Sequence, residues 1–150
     1  MALSPPSRMT DREEIFDLAV RYATALDSRD WPLLRSCFLP DVVGVYEGLG
    51  EVHGYEGIED LCRRALEPLD VSQHILSNFV VQLHGDEADF SCYLHAQHVK
   101  QDAKGGPLFV VAGQYTDVHR RTDEGWKIAR RRLATWWTSG NPAVIAHMSE

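Results

Sequence analysis

The sequence predicts an α+β domain in which three N-terminal helices cover one face of a cone-shaped, curved antiparallel sheet. Three observations carry this expectation. Up to about Leu66, apolar residues recur mostly at helical spacing. Beyond Asp70 they alternate with period two, in runs separated by turn signals. The chain has 150 residues, 44% hydrophobic and 25% charged, which is ordinary for one globular domain with one core. Helices followed by hairpin-linked strands place the helices on one sheet face. A curved sheet closed in this way has an interior.

Residues 1–9 read as a flexible tail, 10–140 as the cone domain and 141–150 as a C-terminal tail. Thr10 followed by Glu13 is a capping-box pattern, and Ile15, Leu18, Ala19, Tyr22, Ala23 and Leu26 then define a first helix ending near Asp27. Asp30 caps a second helix with Trp31 and Pro32 in its first turn, and Pro40 stops it. "DVVGVYEG" is a short β segment, and "GYEGIEDLCRRALEPL" is a third helix with Ile58, Leu61, Cys62, Ala65 and Leu66 on one face. Strands follow at His74–Leu83, Ala88–Lys100, Leu108–His119 and Gly125–Trp137, joined by "HGDE", "DAKGGP" and "RTDEG".

Several function classes are disfavoured at once. No apolar run suits a signal peptide or a membrane span, so a soluble, cytoplasmic protein with no membrane partner is expected. A net charge of −7 opposes a nucleic-acid backbone, although "RRTDEGWKIARRR" gathers positive charge. Cys37, Cys62 and Cys92 are scattered and apolar in setting, which fits core thiols in a reducing compartment and no disulfide framework. His95 and His98 form an HxxH pair, but on a strand that spacing puts the rings on opposite faces, so no metal site is expected.

Four of the seven histidines lie between Asp70 and Val99. In Ala88–Lys100 the even positions Phe90, Cys92, Leu94 and Ala96 form an apolar stripe that His98 joins and His95 does not. His98 is therefore expected to face the interior, His95 the opposite sheet face, and His84 the solvent. Trp126 and Ile128 alternate likewise, and Arg130 continues their parity inward. Arg131 and Arg132 read as surface charge or as partners at a subunit contact. Trp136 and Trp137 read as core or interface aromatics, with Trp136 a candidate for the pocket mouth.

The order of elements, with "RYATALDSRDW", "HILSN", "GDEADFSCYL" and "AGQYTDVHRRTDEGWKIARR", resembles the SnoaL-like branch of the nuclear-transport-factor-2-like superfamily. Within it the likeness is to scytalone dehydratase, bile acid 7α-dehydratase and hexachlorocyclohexane dehydrochlorinase. The resemblance implies a histidine–aspartate pair in the cone, here His74 and Asp27. It further implies roles for Tyr22 (as in the bile acid enzyme), His98 (as the second histidine of scytalone dehydratase) and Arg130 (as the arginine of the dehydrochlorinase). Scytalone dehydratase's serine and asparagine on the next strand fall near Gly113 and Tyr115, so its substrate contacts are not reproduced.

These residues imply a cofactor-independent, dehydratase-type lyase acting on a small, apolar, cyclic substrate. His74 removes a proton, Asp27 holds the imidazolium, Tyr22 and His98 donate protons or hydrogen bonds, and Arg130 steadies negative charge. Phe90, Leu94, Tyr115 and Trp136 are the expected substrate contacts. An isomerase using the same proton abstraction is the nearest alternative, and a non-catalytic ligand-binding or oligomerisation domain is the other. An epoxide hydrolase would want an aspartate–arginine–aspartate set, for which only Asp117 stands out. The outer sheet face carries Tyr93 and His95 and needs cover, which predicts a homo-oligomer, a trimer before a dimer.

Overall fold

A computed structural model describes residues 8–149. The elements run α1 (Asp11–Ser28), α2 (Trp31–Ser36), β1 (Phe38–Tyr46), β2 (Gly50–His53), α3 (Gly54–Leu66), β3 (Val71–His84), β4 (Glu87–Val99), β5 (Leu108–Thr122) and β6 (Gly125–Gly140). The six strands form one curved sheet in the order β2-β1-β6-β5-β4-β3, not closed into a barrel. Only the β1–β6 pairing is parallel.

Local chemistry fixes the helix ends. The Thr10 hydroxyl accepts from the Glu13 amide while the Glu13 carboxylate accepts from the Thr10 amide at 2.7 Å, which satisfies two otherwise orphaned donors. Asp30 accepts from the Leu33 amide at 3.0 Å and starts α2. That helix ends at Ser36, and Pro40 lies inside β1 rather than terminating the helix. The β1–β6 register is irregular between Phe38 and Val43, and a strand proline is tolerated where the ladder is already broken.

The core fills the concave face. Ile15, Leu18, Tyr22 and Leu26 of α1 pack with Phe38, Ile58, Phe90 and Ile128, all buried. Burying each large apolar side chain contributes about 1.5–3 kcal/mol before chain entropy is charged against it.

Two bulges in β6 decide which side chains enter the interior. His119 pairs with Ile128 and Val118 with Arg130, so Ala129 is an extra residue. Ile128 and Ala129 are both buried, and the parity then flips. Arg130 consequently faces solvent, contrary to the sequence expectation, and Arg131, expected at the surface, is 2% exposed. The second bulge is at Trp136, because Gly113 pairs with Thr135 and Ala112 with Trp137. Trp136 and Trp137 both lie exposed on the outer face, against Tyr93 and His95, so Trp136 is not at the pocket mouth. The strand approach is so close here that a Cβ on Gly113 would collide with the Ala134 carbonyl. Only glycine fits, which explains the missing serine at that position.

The segment read as a C-terminal tail is ordered structure. Pro142–Ser149 forms 3-10 turns with a kink at Ile145, Val144 is fully buried, and His147 Nε2 lies 3.1 Å from the Ala65 carbonyl of α3. It covers the open end of the cone. The first seven residues of the expected N-terminal tail lie outside the described residues.

Candidate active site

The cone holds a half-open cavity of about 440 Å³, within the range of small-molecule sites. Its walls are largely apolar, with Leu26, Leu61, Leu66, Leu94 and Phe109 from the body of the domain and Ile145 and Met148 from the C-terminal segment. A few polar groups are set into them.

Asp27 sits in the last turn of α1, and His74 follows the start of β3, against which that helix end packs. His74 Nδ1 lies 2.6 Å from Asp27 Oδ1, and the His74 amide donates to Oδ2 at 2.8 Å. The Ser72 hydroxyl donates to Oδ1 at 3.2 Å. Burial, the largest single influence on the Asp27 carboxyl, pushes it up, but the bonds from His74 and Ser72 outweigh it and hold the group below its ordinary value. A carboxylate can only accept, so the proton of a neutral His74 is on Nδ1. Its other nitrogen is then a bare base on a ring that lines the cavity.

His98 lies on the same wall, its ring centroid 6.1 Å from that of His74. Its Nδ1 is 3.3 Å from the Phe109 carbonyl, which also can only accept. Burial, assisted by the neighbouring His74, pushes the His98 ring down to about 4. At neutral pH it is an uncharged imidazole with Nε2 as an acceptor, so it does not serve as the proton donor expected from the sequence.

The donors are tyrosines. Tyr22, Tyr46 and Tyr115 line the cavity, and the Tyr46 hydroxyl is buried without a partner. Burial raises all three phenols well above their ordinary value, so they are protonated hydrogen-bond donors. Burial also pushes the Cys62 thiol up to about 12, which removes it as a nucleophile.

Behind the tyrosines lies a buried charge cluster. Arg131 sits in the corner formed by the perpendicular rings of Tyr22 and Tyr115, its Cζ 4.0 and 4.1 Å from their centroids. Asp117 binds it with two bonds of 2.9 and 2.7 Å, and His119 Nε2 donates to the same carboxylate at 3.0 Å. Asp117 has no second aspartate in this cluster, so the epoxide-hydrolase set is not assembled.

Of the residues named from the sequence, His74, His98, Tyr22, Tyr115 and Leu94 line the cavity, with Asp27 directly behind His74. Phe90 does not line it. It is core, stacked on His119 at 4.8 Å, because the stripe it begins runs deeper into the sheet than the cavity reaches. Arg130 and Trp136 are excluded by the two bulges. Tyr46, Arg131 and the C-terminal segment were missed. Tyr46 could have been found from the alternation in "DVVGVY", whereas Arg131 became inward-facing only through a bulge that no residue of β6 signals.

His98 carries a direct pH consequence. The unfolded chain takes up a proton near pH 6.5 that the folded ring refuses until about 4. Stability should therefore decline as pH falls through this window, and ¹⁵N spectra should show the His98 ring still neutral at pH 5. A ring titrating above 6 would contradict the burial argument.

Among the described residues no cluster of three metal-ligating side chains occurs, and no helix is long and apolar enough to cross a membrane. Residues 7–132 match the family model of the SnoaL-like domain. A Mycobacterium tuberculosis protein without an assigned activity is 33% identical over 126 residues, 83% of this chain and 85% of its own. The terrestric acid biosynthesis cluster protein E of Penicillium crustosum is 32% identical over 143 residues, 91% and 90% of the two chains. Among solved structures, hexachlorocyclohexane dehydrochlorinase LinA-type3 from Novosphingobium barchaimii superimposes with a TM-score of 0.76 at 22% identity, over 85% of this chain and 88% of that one, a likeness of fold. The bases and phenols of this half-open apolar cone are thus carried on a nuclear-transport-factor-2-like fold, and the chain belongs to the SnoaL-like family, whose members include dehydratases and isomerases.

Proposed function

We propose that the protein is a cofactor-independent lyase that removes water from a small cyclic hydroxy-ketone. The observation that carries this reading is the His74–Asp27 bond at 2.6 Å, which leaves an unprotonated imidazole nitrogen on the wall of a half-open apolar cavity. His74 Nε2 takes the proton from the carbon next to the carbonyl, and the C–H pair moves into the enolate. Tyr22 holds the oxygen where that charge develops, and Arg131 behind it adds positive potential there. Asp27, a half-buried carboxylate on the far nitrogen, stabilises the imidazolium.

Collapse of the enolate then breaks the carbon–oxygen bond at the β position. The departing hydroxide needs a proton, and His98, neutral with its Nε2 bare, has none to give. The His74 imidazolium therefore returns the one it took, water leaves, and both events occur on one face of the ring. His98 Nε2 instead accepts a hydrogen bond from a substrate hydroxyl. Returning the proton to a different carbon gives the isomerase outcome from the same groups. The Penicillium relative, named for a small-molecule biosynthesis cluster, supports a role in such chemistry.

The test is to incubate the protein with cyclic hydroxy-ketones and follow the absorbance of a new conjugated enone together with the mass loss of one water. Turnover with syn stereochemistry is the expected result. A product of unchanged mass would assign isomerisation, and tight binding without turnover would assign a carrier.

The reading includes a homo-oligomer. The outer sheet face exposes Tyr93, Trp136, Trp137 and Ile75, a concentration of large apolar side chains that a monomer rarely leaves bare. Light scattering at micromolar concentration should give a mass above the monomer, a trimer before a dimer. Trp137→Arg should shift it to monomer, and a monomeric wild type would defeat the expectation.

A further inference from the structure

Among the described residues Arg29 is one of two non-glycine residues with positive φ, at +59°, and it holds the left-handed position that closes α1. Glycine is the usual occupant there because a Cβ is disfavoured. The side chain shows what the arginine does with the position. Its Nη1 donates to the Leu26 carbonyl at 2.6 Å and to the Ser72 hydroxyl at 2.7 Å, and its Nη2 donates to the Leu66 carbonyl at 2.9 Å. It thus ties together the ends of α1 and α3 and the first turn of β3.

The direction of the protons matters. A guanidinium only donates, so the Ser72 oxygen accepts from Arg29 and its single hydroxyl proton is free for another acceptor. That acceptor is Asp27 Oδ1 at 3.2 Å, the same oxygen that receives His74 Nδ1. Ser72 is 4% exposed, so water does not compete for it. The carboxylates facing the guanidinium are Asp27 and Glu67.

We infer that Arg29 is a positioning residue for the catalytic pair: with Oδ2 of Asp27 held by the His74 amide, Arg29 acts through Ser72 to keep Oδ1 turned to the His74 ring, and only a carboxylate so turned keeps His74 in the Nδ1–H form. This rests on the His74–Asp27 reading above and extends it to a third and fourth residue, Ser72 and Arg29. The strained backbone is retained because glycine, which would relieve it, has no guanidinium.

Arg29→Gly separates this role from simple helix capping. The readout is the ¹⁵N signature of the His74 ring in the substrate-free protein above pH 7, which distinguishes Nδ1–H from Nε2–H. Wild type and Ser72→Thr should show the Nδ1–H form alone. Arg29→Gly and Ser72→Ala should show both forms, and on any substrate that is turned over kcat should fall about tenfold with KM little changed, the size of one lost hydrogen bond to a buried charge. If folded Arg29→Gly keeps a single tautomer, whether or not it melts lower than wild type, Arg29 is only a structural tie and the inference is overturned. Should Arg29→Gly not fold, Ser72→Ala against Ser72→Thr decides it, since an unchanged tautomer in Ser72→Ala equally overturns it. The spectra need no substrate. A failed lyase assay with a single-tautomer wild type would thus count against the proposed function and leave this inference standing.

Discussion

His74→Ala should lower kcat/KM at least about a hundredfold on any substrate the protein eliminates water from, the loss expected when a positioned general base is removed. The effect is large because one nitrogen performs two transfers, abstraction and return, and no second proton carrier stands on that wall. His98 is pushed down to about 4 by burial and turns an acceptor toward the cavity, so it cannot substitute. His98→Phe should therefore act on KM more than on kcat. Asp27→Asn should fall between, since the amide oxygen can still orient the ring but no longer balances its charge. Full activity in His74→Ala would remove the residue from the mechanism, and with it the proposed lyase.

Asp117→Ala should be the most destabilising single substitution among the site residues, by about 3–5 kcal/mol. It leaves Arg131 buried and charged against two tyrosine rings, without the carboxylate that binds it. Replacing the whole pair costs less than breaking it, so Asp117→Leu with Arg131→Met should recover much of the loss in a denaturation midpoint. The pair also sets an acid limit. Burial, the largest influence, raises the Asp117 carboxyl, but Arg131 and His119 outweigh it and the folded value lies below the ordinary one. The unfolded chain therefore binds the proton first. Stability from this group is complete above about pH 4 and is lost as pH falls further, toward the depressed folded value. A midpoint for Asp117→Ala equal to that of wild type would show that water reaches Arg131.

The elements most legible in the sequence are those fixed by local chemistry. The Thr10–Glu13 capping box, Asp30 before Trp31–Pro32, and the turns "HGDE" and "RTDEG" each satisfy or release backbone groups within a few residues, and each element begins or ends where these signals stand. Strand boundaries were read short, with β3 starting at Val71 rather than His74, because the ladder to β4 continues through residues with no apolar alternation. Pro40 misled in the same way: as a helix breaker it is a local signal, but its place inside β1 depends on a partner strand almost ninety residues away along the chain.

The sequence by itself determined the helices, five of the six strands and the inward face of β4, because period 3.6 and period 2 are properties of neighbouring residues, and the four-residue β2 is too short to show either. It also supplied His74, Asp27, Tyr22 and His98 as candidates. Tertiary structure alone decided which arginine is buried, which tryptophans are exposed, what covers the cone and which way His98 points its lone pair. Each of these turns on a long-range pairing: the bulges at Ala129 and Trp136 exist only against β5, the C-terminal segment is held at Ala65, and the His98 tautomer is set by the Phe109 carbonyl on the next strand. A one-residue bulge reverses every later side chain of its strand, and its cause lies in the fit between two strands that local pattern does not record.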